Sequence, residues 1–268
     1  MGKVGVGVIG CGGAASIGHL PWYQANPDVK IVAVADVEEE RAKSFRDGFG
    51  AETYFSDYNK LLARDDIEAV SICTPPWLHC EQCVKAAEAG KHVLVEKPMA
   101  RTVKECDEMI EACRRNRVKL MVGFMKRFNP AFQLVKKYVD DGTVGRAFYL
   151  DTHWEMYIPP GSREWRLFDP RVGGGIFQDH GSHYIDLFRW WTSSEVDSVS
   201  GETLKLVEDR AWEDHAVALL RFRNGALGVI ETSKDTRVGK MTEYGWVHGA
   251  NASLHFDAPP WDSRELPK

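Results

Sequence analysis

Three groups of residues in this 268-residue sequence have types and spacings that do chemistry. The first is Gly10-Cys11-Gly12-Gly13-Ala14-Ala15, a G-x-G-x-x-A pattern. It follows a strand-like run and opens a helix-like one, the context such a pattern requires. Gly10 permits a tight turn, Gly12 lets the backbone approach a pyrophosphate, and Ala15 lets helix and strand pack closely. Beyond Gly13 the helix start presents free N–H groups to an anion. Asp36 ends the next strand-like run, 21 residues after Ala15. There its carboxylate accepts hydrogen bonds from ribose hydroxyls and repels a 2′-phosphate. Unit charges about 4 Å apart repel by roughly 1–4 kcal/mol at effective dielectrics of about 80 to 20. The next basic residue is Arg41, so the pattern favours NAD over NADP.

The second group lies where strands of a parallel sheet would end. Such sheets bind ligands beyond the carboxyl ends of their strands. Two segments fall there, Thr74-Pro75-Pro76-Trp77-Leu78-His79 and Glu96-Lys97-Pro98. Proline drives the residue before it extended, so Lys97 projects from a strand end. Oxidising an alcohol requires a group to take the hydroxyl proton while hydride leaves. A partly desolvated lysine does this, because burial beside a cationic ring favours the neutral amine.

The third group is Gly173-Gly174-Gly175 followed by Ile176 to Asp186. If this segment is helical from about Asp179, Asp179 and His183 share a face at i, i+4, where they can relay a proton and orient a polyol. Asp186, three beyond His183, is placed to hold its ring. A metal reading uses the same residues with His153 or His215 added, but no H-E-x-x-H or comparable ligand set supports it. Trp154, Tyr157 and Trp165 flank the glycines and offer ring faces to a sugar. Trp190 and Trp191 end an apolar helix and are expected against the sheet.

The elements that position these groups alternate. Strands are expected at Lys3 to Ile9, Val29 to Asp36, Ala69 to Cys73, His92 to Glu96 and Leu120 to Phe124. Helices are expected at Ala14 to Gln24 (with Pro21 a conflict), Glu38 to Asp47, Leu78 to Ala89 and Thr102 to Asn116. That alternation calls for a parallel sheet with helices on both faces. After Phe124 the pattern changes. Asn129-Pro130 starts a helix, and strand runs follow at Ala147 to Trp154, Val217 to Phe222, Ala226 to Thr232 and near Trp246. Asn224-Gly225 joins two of them in a tight hairpin. The expectation is an α/β chain with a doubly wound parallel sheet, followed by an α+β domain with an open, mostly antiparallel sheet.

These residues together resemble the Gfo/Idh/MocA family of NAD(P)-dependent oxidoreductases. The resemblance rests on VGVIGCGGAA at the start, Asp36, CTPPWLH at 73–79, EKP at 96–98, KRFNP at 126–130, WRLFDPRVGGG at 165–175 and DHGSH at 179–183. It implies a Rossmann domain over residues 1–124 and a substrate and oligomerisation domain over 125–268. It implies Lys97, Asp179 and His183 as the catalytic trio, with Lys97 and His183 sharing the proton transfer and Asp179 positioning substrate and His183. It adds Thr74, Pro75, His79, Glu96 and Lys97 to the cofactor site, and Arg127 and Trp165 to the substrate site. Sugars, inositols or related polyols are the implied substrates, with homodimers or tetramers pairing through the open sheet face. Relatives usually run some 70 residues further, so a shortened C-terminus is expected, with Asp257 to Lys268 an irregular tail.

Composition excludes much else. Charged residues make up 27% and hydrophobic ones 44%, with a net charge of −5, which disfavours disorder and nucleic-acid binding. No apolar run approaches the roughly 20 residues that span a bilayer. The Gly-rich start reads as strand and turn rather than a signal peptide, so a cytoplasmic protein with reduced thiols is expected. Cys80 and Cys83 form a lone C-x-x-C without a second pair at zinc-ligand spacing. Cys106 and Cys113 share an apolar stripe with Val103 and Ile110 and read as small core residues. Two other readings stay open: an NAD-dependent glycoside hydrolase working by transient oxidation, and a non-catalytic NAD-binding protein.

Overall fold

The computed structural model describes residues 2–159, 162 and 164–258. Two compact units divide the chain, one running to Gly123 and the next starting at Phe124. The expected irregular tail from residue 259 onward lies outside the described residues. Asp257 itself ends a strand.

In the first unit β1 (Val4–Ile9) leads into wide π-type turns over Ala14–His19, which continue as α1 (Leu20–Ala25). Then come β2 (Val29–Ala35), α2 (Glu39–Phe49), β3 (Thr53–Phe55), α3 (Tyr58–Leu62), β4 (Ala69–Ile72), α4 (Pro76–Glu88), β5 (His92–Val95), α5 (Val103–Arg115) and β6 (Leu120–Val122). The six strands form one parallel sheet in the order 3-2-1-4-5-6. The order reverses beside β1, which makes a crevice at the strand ends. Val32 to Ala35 are all buried, as a strand covered on both faces requires. The Pro21 conflict resolves locally. Pro21 falls in the first turn of α1, where its missing N–H is tolerated.

Helix α5 corrects one expectation. Its inner face is Met109, Ala112 and Cys113, whereas Val103 and Ile110 are exposed. A helix a few turns long can turn only one stripe to the sheet, and the stripe through Met109 is the one buried. The C-x-x-C pair also parts company. The sulfur of Cys83 lies 3.8 Å from that of Cys113 in the core, while that of Cys80 approaches Glu108.

The second unit begins with a 3₁₀ turn at Met125–Phe128 and α6 (Pro130–Asp140). Asn129 caps α6, its side chain accepting from the Ala131 N–H at 2.9 Å. There follow β7 (Ala147–Glu155), α7 (Trp165–Phe168), wide turns over Phe177–Gly181, α8 (Ser182–Thr192), β8 (Val196–Leu204), β9 (His215–Phe222), β10 (Leu227–Ser233), β11 (Thr242–Gly249) and β12 (Ser253–Asp257). Their sheet has the order 12-11-7-10-9-8. Every pair is antiparallel except the central β7–β10. Asn224-Gly225 makes the β9–β10 hairpin, with Gly225 at φ +87°.

Alternating residues of β7, β9, β10 and β11 face a core with α6 and α8. Phe132, Tyr184, Phe188, Trp191 and Phe256 fill it. Trp191 packs at 5.7 Å from Phe132 and donates from Nε1 to its carbonyl at 3.1 Å. Trp190 packs at the margin of the same core. Its ring stays half-buried beneath the Arg127 guanidinium, 5.5 Å away. The other face of this sheet carries His153, Glu231 and Tyr244 and has no helix on it among the described residues.

Trp191→Ala removes a fully buried ring and its hydrogen bond. It is expected to destabilise the protein by about 3–5 kcal/mol in urea unfolding. Leu134→Ala, at a site 46% exposed on α6, should change stability by no more than about 0.5 kcal/mol.

Candidate active site

The turn after β1 is built for close approach. Gly10 has φ +95°, and a Cβ there would lie 2.9 Å from the Cys73 carbonyl carbon. Only glycine fits both limits. At Gly12 and Gly13 a Cβ would meet nothing within 4 Å, so the space over this backbone is open. Gly13 precedes Ala14–His19 with no side chain capping its N–H groups, and Ala15 is fully buried beneath. This open cradle, with uncapped amides and a floor of small residues, fits a dinucleotide pyrophosphate. Asp36 sits at its edge. Its Oδ2 accepts from the Cys11 N–H at 2.9 Å and its Oδ1 from the Glu38 N–H at 3.0 Å. Arg41 is not remote as its sequence position suggests. Its guanidinium lies 3.5 Å from Asp36 and 2.6 Å from Glu38, so it offsets part of the repulsion toward a 2′-phosphate. The Cys11 thiol is pushed up to about 12 by burial and by the Asp36 charge, which leaves it inert.

Two loops beyond β4 and β5 are tied together by His79. Its ring is fully buried. Nε2 lies 2.7 Å from the Thr74 carbonyl and Nδ1 3.0 Å from that of Pro98. With both ring nitrogens facing backbone, His79 holds the loops in place instead of reaching a ligand. Thr74 donates its hydroxyl to Gln82 at 2.6 Å, and Pro75 precedes α4 in extended form. Lys97 is half-buried before a cis Lys97–Pro98 bond. Its N–H donates to Glu96 Oε2 at 3.2 Å. Burial pushes the Glu96 carboxyl up, but the His19 hydrogen bond and charge, with the charge of Lys97, outweigh that and hold it below the usual carboxylate range.

In the second unit, Gly175 admits the close approach of Glu213, whose carbonyl would lie 2.1 Å from any Cβ there. Glu213 accepts from the N–H groups of Gly175 at 3.1 Å and Phe177 at 3.2 Å. That caps the start of the helical run and aims it. Asp179 then meets Lys234, with Nζ 3.2 Å from Oδ2, and His180 at 3.4 Å. His180 stacks on Trp154 at 3.5 Å. Trp154 is therefore core, not a wall for a sugar. His183 is buried, with the Phe124 ring edge-on at 6.0 Å.

Asp186 does not hold His183 as expected. Both its oxygens accept from Arg127, each at 2.7 Å. Arg127 thus anchors the start of this unit to α8, as does Lys126, which bonds Tyr184 at 3.1 Å and Glu243. Trp165 is 41% exposed under the Arg166 guanidinium. His153 and His215 flank Glu231 on the helix-free face, away from the Asp179 helix, so they do not complete a metal set with it.

Comparison with known proteins bears on this geometry. Residues 4–124 match the family described as oxidoreductase family, NAD-binding Rossmann fold, and residues 132–255 match the GFO/IDH/MocA C-terminal domain. The chain belongs to the Gfo/Idh/MocA family. It is 34% identical to myo-inositol 2-dehydrogenase of Thermotoga maritima, over 85% of this chain and 68% of that protein. A Kribbella flavida oxidoreductase domain protein superposes with a TM-score of 0.89 at 31% identity, covering 96% of this chain and 74% of that one. Levoglucosan dehydrogenase, solved with NADH and L-sorbose, gives 0.90 at 30% identity, covering 96% and 74%. The family is one of NAD-binding oxidoreductases, and the matched residues include the turn at Gly10–Ala15. No described helix is long and apolar enough to cross a membrane.

Three site features escaped sequence reasoning. Lys234 is 3% exposed at the end of β10, and its only sequence signal is a lysine closing an apolar strand. Glu213 lies in a loop with no pattern. His19 belongs to no motif, and the wide turns bring it to Ser71 and Glu96.

Two outcomes follow. Asp36→Ala removes a charged acceptor, worth about 1.5–3 kcal/mol for such hydrogen bonds. It should weaken NADH at least about 10-fold in a fluorescence titration and narrow the gap to NADPH. The second concerns pH. Burial pushes the His79 ring below its ordinary 6.5, against two carbonyls that pull it up. A depressed histidine contributes stability that is complete above its unfolded value and is lost as pH falls through the folded one. Melting temperatures measured between about pH 7.5 and 5 should fall more for the wild type than for His79→Gln. A smaller fall in the wild type would mean that the ring protonates readily to serve both carbonyls.

Proposed function

We propose that this chain is an NAD-dependent dehydrogenase or reductase for a hydroxyl or keto group of a sugar, inositol or related polyol. The observation that carries the reading is Lys97, half-buried at a parallel-sheet strand end, on a loop that His79 locks to the turn after β4. NAD, when bound, supplies the hydride acceptor. In the oxidative direction, Lys97 Nζ takes the hydroxyl proton. Asp179, its carboxylate held by Lys234, accepts hydrogen bonds from substrate hydroxyls, and His183 shares the proton transfer. General acid–base groups of this kind contribute about 10²–10⁴-fold.

Relatives named as myo-inositol 2-dehydrogenase and levoglucosan dehydrogenase support the polyol preference. The helix-free face of the second sheet, with Val217, Leu219 and Trp246 exposed along it, supports pairing of chains through that face.

A screen of inositols, aldoses and anhydrosugars with NAD should find turnover. On the best substrate, Lys97→Ala should cut kcat by at least about 10²-fold while NADH affinity stays within about twofold. Unchanged turnover in that variant removes Lys97 from the mechanism.

A further inference from the structure

The edge of the nucleotide cradle carries more charge than a ribose acceptor requires. Asp36 alone supplies that acceptor. Yet Arg41, in the first turn of α2, spans two carboxylates. Its Nη1 lies 3.5 Å from Asp36 Oδ1, and its Nη2 lies 2.6 Å from Glu38 Oε1. The Asp36 side chain is 8% exposed, whereas those of Arg41 and Glu38 are 43% and 65% exposed. Two carboxylates against one guanidinium leave the trio with negative charge in excess.

Helix stability does not account for the Glu38 side chain. Glu38 precedes α2 in extended form, and its carboxylate makes no cap hydrogen bond to the helix. An exposed ion pair of this spacing adds little to folding. The next acid, Glu39, accepts from the Tyr54 hydroxyl at 3.5 Å. Glu38 is therefore the carboxylate that fills the outer side of the Arg41 fork.

That fork has a second use. A 2′-phosphate on the adenosine ribose would arrive beside the Asp36 carboxylate. A guanidinium matches phosphate oxygens as well as it matches a carboxylate, and Arg41 already touches Asp36. We propose that Glu38 is a cofactor-selectivity residue: by occupying the Arg41 fork it denies NADPH the cation that would offset Asp36. Exclusion of NADPH then takes two carboxylates, Asp36 by repulsion and Glu38 by competition. The Arg41–Glu38 pair is exposed and readily broken, so a neutral side chain at position 38 releases Arg41 to the phosphate. The inference concerns the nucleotide site of this family and does not rest on the substrate or the base assigned above.

The test is a binding measurement that needs no substrate. Nucleotide-free protein is titrated with NADH and with NADPH by tryptophan fluorescence at low ionic strength, where exposed charges are least screened. The wild type should prefer NADH. Glu38→Gln should tighten NADPH at least about 5-fold and move NADH by less than about twofold, since its 2′-hydroxyl carries no charge. In an Arg41→Ala background, the same Glu38→Gln change should tighten NADPH by less than about twofold. The gain should shrink in about 1 M salt, where the Debye length is about 3 Å. A wild type that binds NADPH as tightly as NADH overturns the proposal, as does an unchanged NADPH affinity in Glu38→Gln. An equal gain with and without Arg41 overturns it too, because charge removal alone then explains the effect. Failure of the polyol screen or of the Lys97→Ala test would sink the dehydrogenase reading and leave these affinities untouched, so the two failures are distinguishable.

Discussion

One buried imidazole with a backbone carbonyl on each nitrogen constrains the strand ends of the first unit. His79 can donate to both Thr74 and Pro98 only as a cation, and burial opposes that charge. A neutral ring leaves one carbonyl facing a lone pair. The fold accepts this conflict because the ring bridges the two loops that must be fixed together: the one from β4 into α4, and the one that carries Lys97. Removing the ring would free two carbonyls and a cis-proline loop at once. The glycine turn depends on the same frame, since Gly10 packs against the backbone of Cys73 and Thr74.

The second unit meets the same problem with charge. Lys126 with Glu243, Lys234 with Asp179, and Arg210 with Asp214 and Asp235 are ion pairs with buried members. Burying charges costs several kcal/mol per ion before pairing, so such pairs survive where the backbone fixes both partners. Arg210 also donates to the Ile158 carbonyl at 2.7 Å, tying the loop before β9 to the stretch after β7. That leaves the Asp179 helix braced on two sides, by Glu213 at its start and by Lys234 beneath it. Bracing of this kind is what a site needs to keep a carboxylate within hydrogen-bond reach of a substrate.

Long, periodic elements were legible in the sequence, and short or polar ones were not. The run VKIVAVAD had to be a buried strand, and Asn129-Pro130 had to start a helix. β3 with three residues, α3 with five and the edge strand β8, nearly all of it exposed, carry too little apolar pattern to stand out. β12 is short as well, with Phe256 buried and Leu254 half-buried against the core. In the site, motif residues were readable because their type is dictated by backbone geometry or charge: Gly10 by its φ, Asp36 by the turn it closes. Their partners were not. Arg41, Lys234, Glu213 and His19 act through contacts between segments far apart in sequence, and no local period encodes those. Asp186 shows the opposite error. Helical spacing offered it to His183, and the stronger bidentate geometry of Arg127 took it.

Both candidate regions begin with helix wound too wide. Ala14–His19 and Phe177–Gly181 have π-type turns, and each passes directly into an α-helix. A wide turn costs hydrogen-bond geometry and is retained where it re-aims a side chain. In the first case it delivers His19 to Ser71 and Glu96, although a regular helix from Gly13 through Pro21 would also set the proline ring against the carbonyl of Ile17. In the second it brings Asp179 to Lys234 and lays His180 flat on Trp154. Glycine makes the second possible, since a Cβ on Gly181 would lie 2.8 Å from the Phe177 ring. The same device therefore serves two unrelated sequences. In each, one extra residue per turn converts a helix that would merely cover a sheet into one that points a titratable group at a neighbour across it.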